Sequence, residues 1–180
     1  MMLIRPFLPH TRASVSVEFA LVSVFFLLPL LAGAADLVLL IAGQAQMNTA
    51  QQALYYFAIS NAGNATSSTY AQDVLNVINS ANSASGVTVS MPSTTTVPIH
   101  LGTTTVASGQ NNPFTYYGCF NSSSTTVTYQ STTCSSGFTQ QTYAVYEVQG
   151  TVQLPFPIPG NGTAITLTAS GGIQTAIASN

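Results

Sequence analysis

Few side chains in this sequence could carry chemistry. The charged residues are Arg5, Arg12, Glu18, Asp36, Asp73 and Glu147, the histidines are His10 and His100, and there is no lysine. A general base beside an activated nucleophile needs two or three such groups at one place. Here the acids are scattered singly along the chain, and no serine has a plausible base nearby in sequence. The stretch Gly160-Asn161-Gly162 lacks the lysine of a phosphate loop. No catalytic residues, cofactor or metal site are therefore expected. The two cysteines, Cys119 and Cys134, have fourteen residues between them. That span suits one disulfide loop, worth about 3 kcal/mol, and implies an oxidising compartment. The alternatives are two free thiols or part of a metal site, although both histidines lie far from the cysteines in sequence.

Charged residues make up 3% of the chain, against about 25% in an average soluble domain. Ser, Thr, Asn and Gln must therefore solvate the surface. A nucleic-acid footprint, which needs clustered Lys and Arg, is excluded. So small a net charge leaves little repulsion between copies and permits close packing in an assembly; it equally suits a neutral secreted domain.

Residues 19–35, FALVSVFFLLPLLAGAA, carry no charge, and the apolar run resumes after Asp36 as LVLLIAG. A bilayer core of about 30 Å needs roughly 20 helical residues. The run spans a membrane if Asp36 sits at a boundary or has a partner. Arg5 and Arg12 both precede it, which places the N-terminus in the cytoplasm and the rest outside. His10, on the cytoplasmic side, cannot then meet His100. Pro29 removes the hydrogen bond to the carbonyl of Phe25 and should kink the helix. Residues 44–59 continue at helical spacing through Met47, Ala50, Leu54, Phe57 and Ala58. One helix of about 45 residues is expected, half in lipid and half amphipathic. The rival is a cleaved secretory leader ending at Ala32-Gly33-Ala34, whose small residues suit signal peptidase; it would release a secreted or surface binding module.

Glu18 stands at the threshold of the apolar helix, where a carboxylate is costly without a partner, although a helix start favours an acid by up to about 1 kcal/mol. The text around it, Arg12-Ala13-Ser14-Val15-Ser16-Val17-Glu18-Phe19-Ala20-Leu21, resembles the start of TadE-like minor pseudopilins of the tight-adherence (Flp) pilus system. The resemblance covers residues 12–58 and recurs weakly at 143–176. It implies cleavage by a prepilin peptidase between Ala13 and Ser14, with Glu18 and Phe19 part of the recognised sequence. Glu18 would become the fifth residue of the mature chain and pair with the N-terminal amine of a neighbouring subunit. Ala13 stands where the family usually has glycine. The resemblance further implies a bacterial inner-membrane protein whose partners are that peptidase, other pilin or pseudopilin subunits and pilus assembly proteins.

Beyond the helix the expected organisation is α+β and pilin-like. A leader (1–13), a transmembrane helix (14–43) and its outer continuation (44–62) precede an exported domain (63–180). That domain is periplasmic or extracellular. A second helix is expected at 69–83, with Tyr70, Val74, Val77 and Ile78 on its apolar face, ending near Gly86. Period-two alternation marks strands at 87–91, 125–130, 143–154 and 164–169. Pro155, Pro157 and Pro159 read as a stiff connection between the last two strands, and Gly171-Gly172 as a break or bulge in the last one.

Overall fold

The computed structural model describes residues 11–83, 86–101, 103–106, 108–121, 126–158 and 162–179. The chain is α+β: a long N-terminal apolar helix followed by an antiparallel sheet. Helix α1 (Thr11–Val22) passes through a π-helical turn, Ser23–Leu27, into α2 (Leu28–Ser60). Pro29 occupies the first turn of α2, where its missing N–H costs least. The π-helical turn lies just before the proline, and there Leu28 N–H donates to Ser23 O. A 3-10 turn (Ala62–Asn64) leads to α3 (Ser68–Ala81), which the sequence placed correctly. Its apolar face is rotated from expectation. Ala71 and Leu75 are buried and Val74 and Ile78 partly so, while Val77 and Tyr70 point outward. The helix meets a sheet edge and α2 together, so a narrow stripe of small and branched residues fits and an aromatic does not.

The main sheet contains β1 (Val87–Ser90), β4 (Phe114–Phe120), β5 (Thr128–Gln130), β6 (Thr139–Ile158) and β7 (Gly162–Ser179). Strand β6 is its axis. β7 pairs along one edge of β6. The other edge is shared by β4, opposite residues 139–145, and β1, opposite residues 149–152. A separate hairpin of β2 (Ile99–Leu101) and β3 (Thr104–Val106) lies over the far face. Strands β2 to β4 escaped the sequence reading because β2 and β3 have three residues each and β4 mixes aromatics with Gly118.

Two expectations at the end of the chain are corrected. Strand β6 runs on through Pro155 and Pro157, which are not a loop between strands. The register slips between Gln153 and Ile158, so these prolines oppose no residue of β7 and need donate no ladder hydrogen bond. Gly171 and Gly172 neither break nor bulge β7. They pair in register with Tyr146 and Val145. A Cβ on Gly171 would strike Tyr55 Oη of α2, and one on Gly172 would strike Leu101 of β2. Close packing on both faces demands glycine there; the irregularity sits at Thr142/Tyr143.

The helix packs on one sheet face through Asp36, Gly43, Gln46, Met47, Ala50, Leu54 and Ala58, which form one helical stripe. Ala144, Tyr146, Val148, Val152 and Leu154 of β6 meet them. A buried Leu or Met contributes roughly 1.5–3 kcal/mol. Gly43 is needed because a Cβ would lie 2.5 Å from Val152 Cγ2. The phenol of Tyr146, fully buried, donates to the carbonyl of Ala65 and ties the turn after α2 to the sheet.

Burial pushes Tyr146 and Tyr55 above the usual phenol value of 10.0, and pushes Tyr143 up to about 12, with Tyr129 adding to the shift. The neutral phenols are favoured in the fold. Their contribution is therefore complete below pH 10.0 and is lost as pH climbs through the folded values. Urea denaturation across a pH series should show constant stability to about pH 10 and a steep fall beyond it. A decline confined to acid pH would contradict this assignment.

Candidate functional site

The residues with chemical potential fall at separate places. The structure does not bring them together. At the N-terminal end, Ala13, Ser14, Glu18 and Phe19 all lie within α1, so the backbone around residues 13–14 is helical. The leader through His10 lies outside the described residues. Glu18 and Phe19 are on the exposed surface of the helix. From residue 15 to residue 31 every side chain except half-covered Ser23 is exposed, Phe25, Phe26 and Leu30 included. Within Val15–Ser60 the most apolar window reaches a mean hydropathy of 2.5 with 6% of it buried. Such a helix is long and apolar enough to cross a membrane, and nothing in the folded domain covers this part of it.

Asp36 marks the change. It is 8% exposed, and its buried Oδ1 has no hydrogen-bond partner. From here on α2 carries a buried stripe. The covered stripe starts well before Gly43.

The third place was missed in the sequence. Glu147 of β6 is fully buried, on the face away from α2. Its Oε2 accepts from the backbone N–H of Thr96 (2.7 Å) and of Val97 (3.1 Å), and its Oε1 from the Thr96 hydroxyl and from Gln149 Nε2 (3.2 Å). Four donors replace the water a buried carboxylate loses. The backbone of Glu147 lies in the gap between β1 and β4, where β6 has no strand neighbour. Buried Asn112 fills it. Its Nδ2 donates to Glu147 O (2.7 Å) and to Pro92 O (2.9 Å), and its Oδ1 accepts from Glu147 N (3.0 Å). Asn79 of α3 does the same for the edge of β1, exchanging bonds of 2.7 and 2.9 Å with Val89. In a chain with almost no charge, carboxamides stand in for missing strands and blunt an edge. The arrangement holds the 92–112 loop to the sheet. Beside it, Asn112 lines an open pocket with Thr66, Ser68, Ser93, Asn111 and Pro113. The only available signal was an acid amid the apolar residues of β6.

Cys119 and Cys134 form a disulfide, with Cα atoms 5.5 Å apart. Cys119 is on β4, and Cys134 N–H donates to Gln140 Oε1 of β6 at 3.0 Å. The bridge fastens the β4–β5 end of the sheet. His100, on β2, has Thr105 Oγ1 3.2 Å from its Nδ1 and lies apart from the cysteines. Among the described residues no three His, Cys, Asp or Glu side chains gather to hold a metal. Comparison with protein families, with curated proteins and with solved structures finds no match.

Proposed function

We propose that this chain is a TadE-like pseudopilin of the tight-adherence (Flp) pilus system. It is held in the bacterial inner membrane by one helix, with its disulfide-bonded domain exported. Prepilin peptidase cuts between Ala13 and Ser14, and the mature subunit assembles with other pilin or pseudopilin subunits through its N-terminal helix. The observation that carries this reading is Glu18 on the exposed surface of an apolar helix, set in the sequence RASVSVEFAL. A carboxylate in that position is costly in lipid unless a cation meets it. The amine created by the cut, on a neighbouring subunit, is such a cation. The disulfide supports export to an oxidising compartment.

A second reading has one observation in its favour. Residues 15–31 pack on nothing in the folded domain, so a leader cut after Ala34 would leave the core whole. That product would be a secreted or surface binding module. N-terminal sequencing of the protein from the envelope fraction separates the two. A mature chain beginning at Ser14 is expected; one beginning at Ala35 would establish the leader reading, and an intact Met1 would remove the peptidase. Glu18→Ala should insert normally yet recover less partner subunit on cross-linking. Undiminished pilus output from that variant would rule out an assembly role for Glu18.

A further inference from the structure

The exported domain is built alongside the helix in a way that places one of its ends at the membrane. Contacts give the alignment. Gly43 abuts Val152 and Leu167, Met47 abuts Gly150, and Tyr55 abuts Gly171. Strand β6 therefore runs antiparallel to α2 and β7 parallel to it. A strand advances about 3.3 Å per residue and a helix about 1.5 Å. Five residues of β7, from Leu167 back to Gly162, cover about 16 Å, or about eleven residues of helix. The β6–β7 hairpin thus reaches back from the level of Gly43 to that of Ala32.

The covering of α2 agrees. Its sheltered stripe extends down to Asp36, with Ala32 half-covered. Of the strands packed on α2, β1 lies at the level of Gly43 and Gln46, where Gln46 Nε2 meets Val87 O at 3.1 Å. By the strand rise estimated above, the far end of β6 and β7 reaches the level of Asp36. The bare helix, residues 15–31, is about 25 Å long, most of a bilayer core of about 30 Å. The hairpin end therefore sits where that core gives way to headgroups. Its exposed side chains suit that layer. Pro155, Phe156 and Pro157 of β6 point outward, with Phe156 47% exposed, as does Ala164 of β7. No charged residue follows Glu147 in the sequence.

We propose that the β6–β7 hairpin end is a second membrane contact, seated by Pro155, Phe156 and Pro157 in the interfacial layer of the outer leaflet, so that the domain rests on the bilayer. The hairpin also reaches the level of Asp36, at the point where the helix leaves the hydrocarbon. The proposal rests on the membrane-spanning reading of the helix. Aromatic and apolar side chains beside an anchor favour the headgroup boundary.

The chain has no tryptophan, so a single introduced indole reports its own surroundings. The full-length protein is reconstituted in phosphatidylcholine vesicles with brominated acyl chains, which quench indole emission on contact. Phe156→Trp is compared with Phe25→Trp, in the uncovered helix, and with Tyr70→Trp. Tyr70 stacks near Phe57 at 6.3 Å, about 30 Å along the helix from Asp36. Emission of Phe25→Trp and Phe156→Trp should be largely lost, with bromines near the headgroup acting more strongly on Phe156→Trp. Tyr70→Trp should be unaffected. Ala164→Trp, on the facing strand, should behave as Phe156→Trp does and serves if that variant fails to fold. If Phe25→Trp is quenched and both hairpin variants match Tyr70→Trp, the second contact is refuted while the anchor stands. If Phe25→Trp keeps its emission, the membrane span is refuted and the hairpin proposal with it.

Discussion

Glu147→Ala is expected to cost the exported domain about 3 kcal/mol, measured by denaturant titration of the full-length protein in detergent. The side chain accepts from Thr96 N, Thr96 Oγ1, Val97 N and Gln149 Nε2 while itself fully buried. Truncation leaves those donors facing a small void. A buried donor without an acceptor costs about 1–3 kcal/mol. The sum stays well below four full penalties because Thr96 is exposed, and water can reach part of the loop once it loosens. Against a total stability of about 5–15 kcal/mol, this is a large fraction. Glu147→Gln should cost much less. The amide oxygen can accept from Thr96 N and Val97 N while the amide nitrogen donates to the Thr96 hydroxyl, which can turn to accept. Equal losses in the two variants would mean that charge, and not hydrogen bonding, holds the loop. A loss under about 1 kcal/mol in Glu147→Ala would mean that the loop is held by Asn112 alone.

Replacing Cys119 and Cys134 together by serine should lower stability by about 3 kcal/mol, the value for closing a loop of this length. The sequence separation is 15. The bridge joins β4 to the segment after β5, and β5 is a three-residue strand at the sheet edge. Its removal should free β5 first, because only three residue pairs hold β5 to β4. Hydrogen exchange should therefore rise at residues 128–130 and stay low in β6, while the denaturation midpoint falls. Reduction of the native protein should reproduce both effects. An unchanged midpoint after reduction would show that the bridge only decorates a sheet already closed by β4 and β6.

Asp36 and Glu147 show where the sequence reading reached and where it stopped. The helical stripe of Met47, Ala50, Leu54, Phe57 and Ala58 was legible because helical periodicity is local, and all but the half-buried Phe57 are buried. Asp36 was legible as an anomaly but not as a buried residue, since burial is set by packing that the local sequence does not encode. Glu147 was passed over because a lone acid in a strand ordinarily faces water. Its loop cover arises from pairing between residues 92–97 and 109–112, which carries no period in the sequence. The prolines of β6 misled for a related reason. Proline argues against a ladder, yet β6 slips register there and asks no ladder bond of it.

The long apolar helix, its amphipathic continuation and the α+β order are legible in the sequence, as is the 119–134 bridge as one reading beside free thiols and a metal site. Each depends on neighbours along the chain or on the reach of a short loop. Where the bare helix ends is another matter. The apolar run continues past Asp36 to Gly43, and composition cannot say whether lipid or a sheet covers it, because both are apolar partners. The sheet packs along α2 from Gly43 onward and leaves residues 15–31 bare. Long-range strand pairing, with glycines at 43, 150 and 171 letting helix and sheet approach, sets that limit.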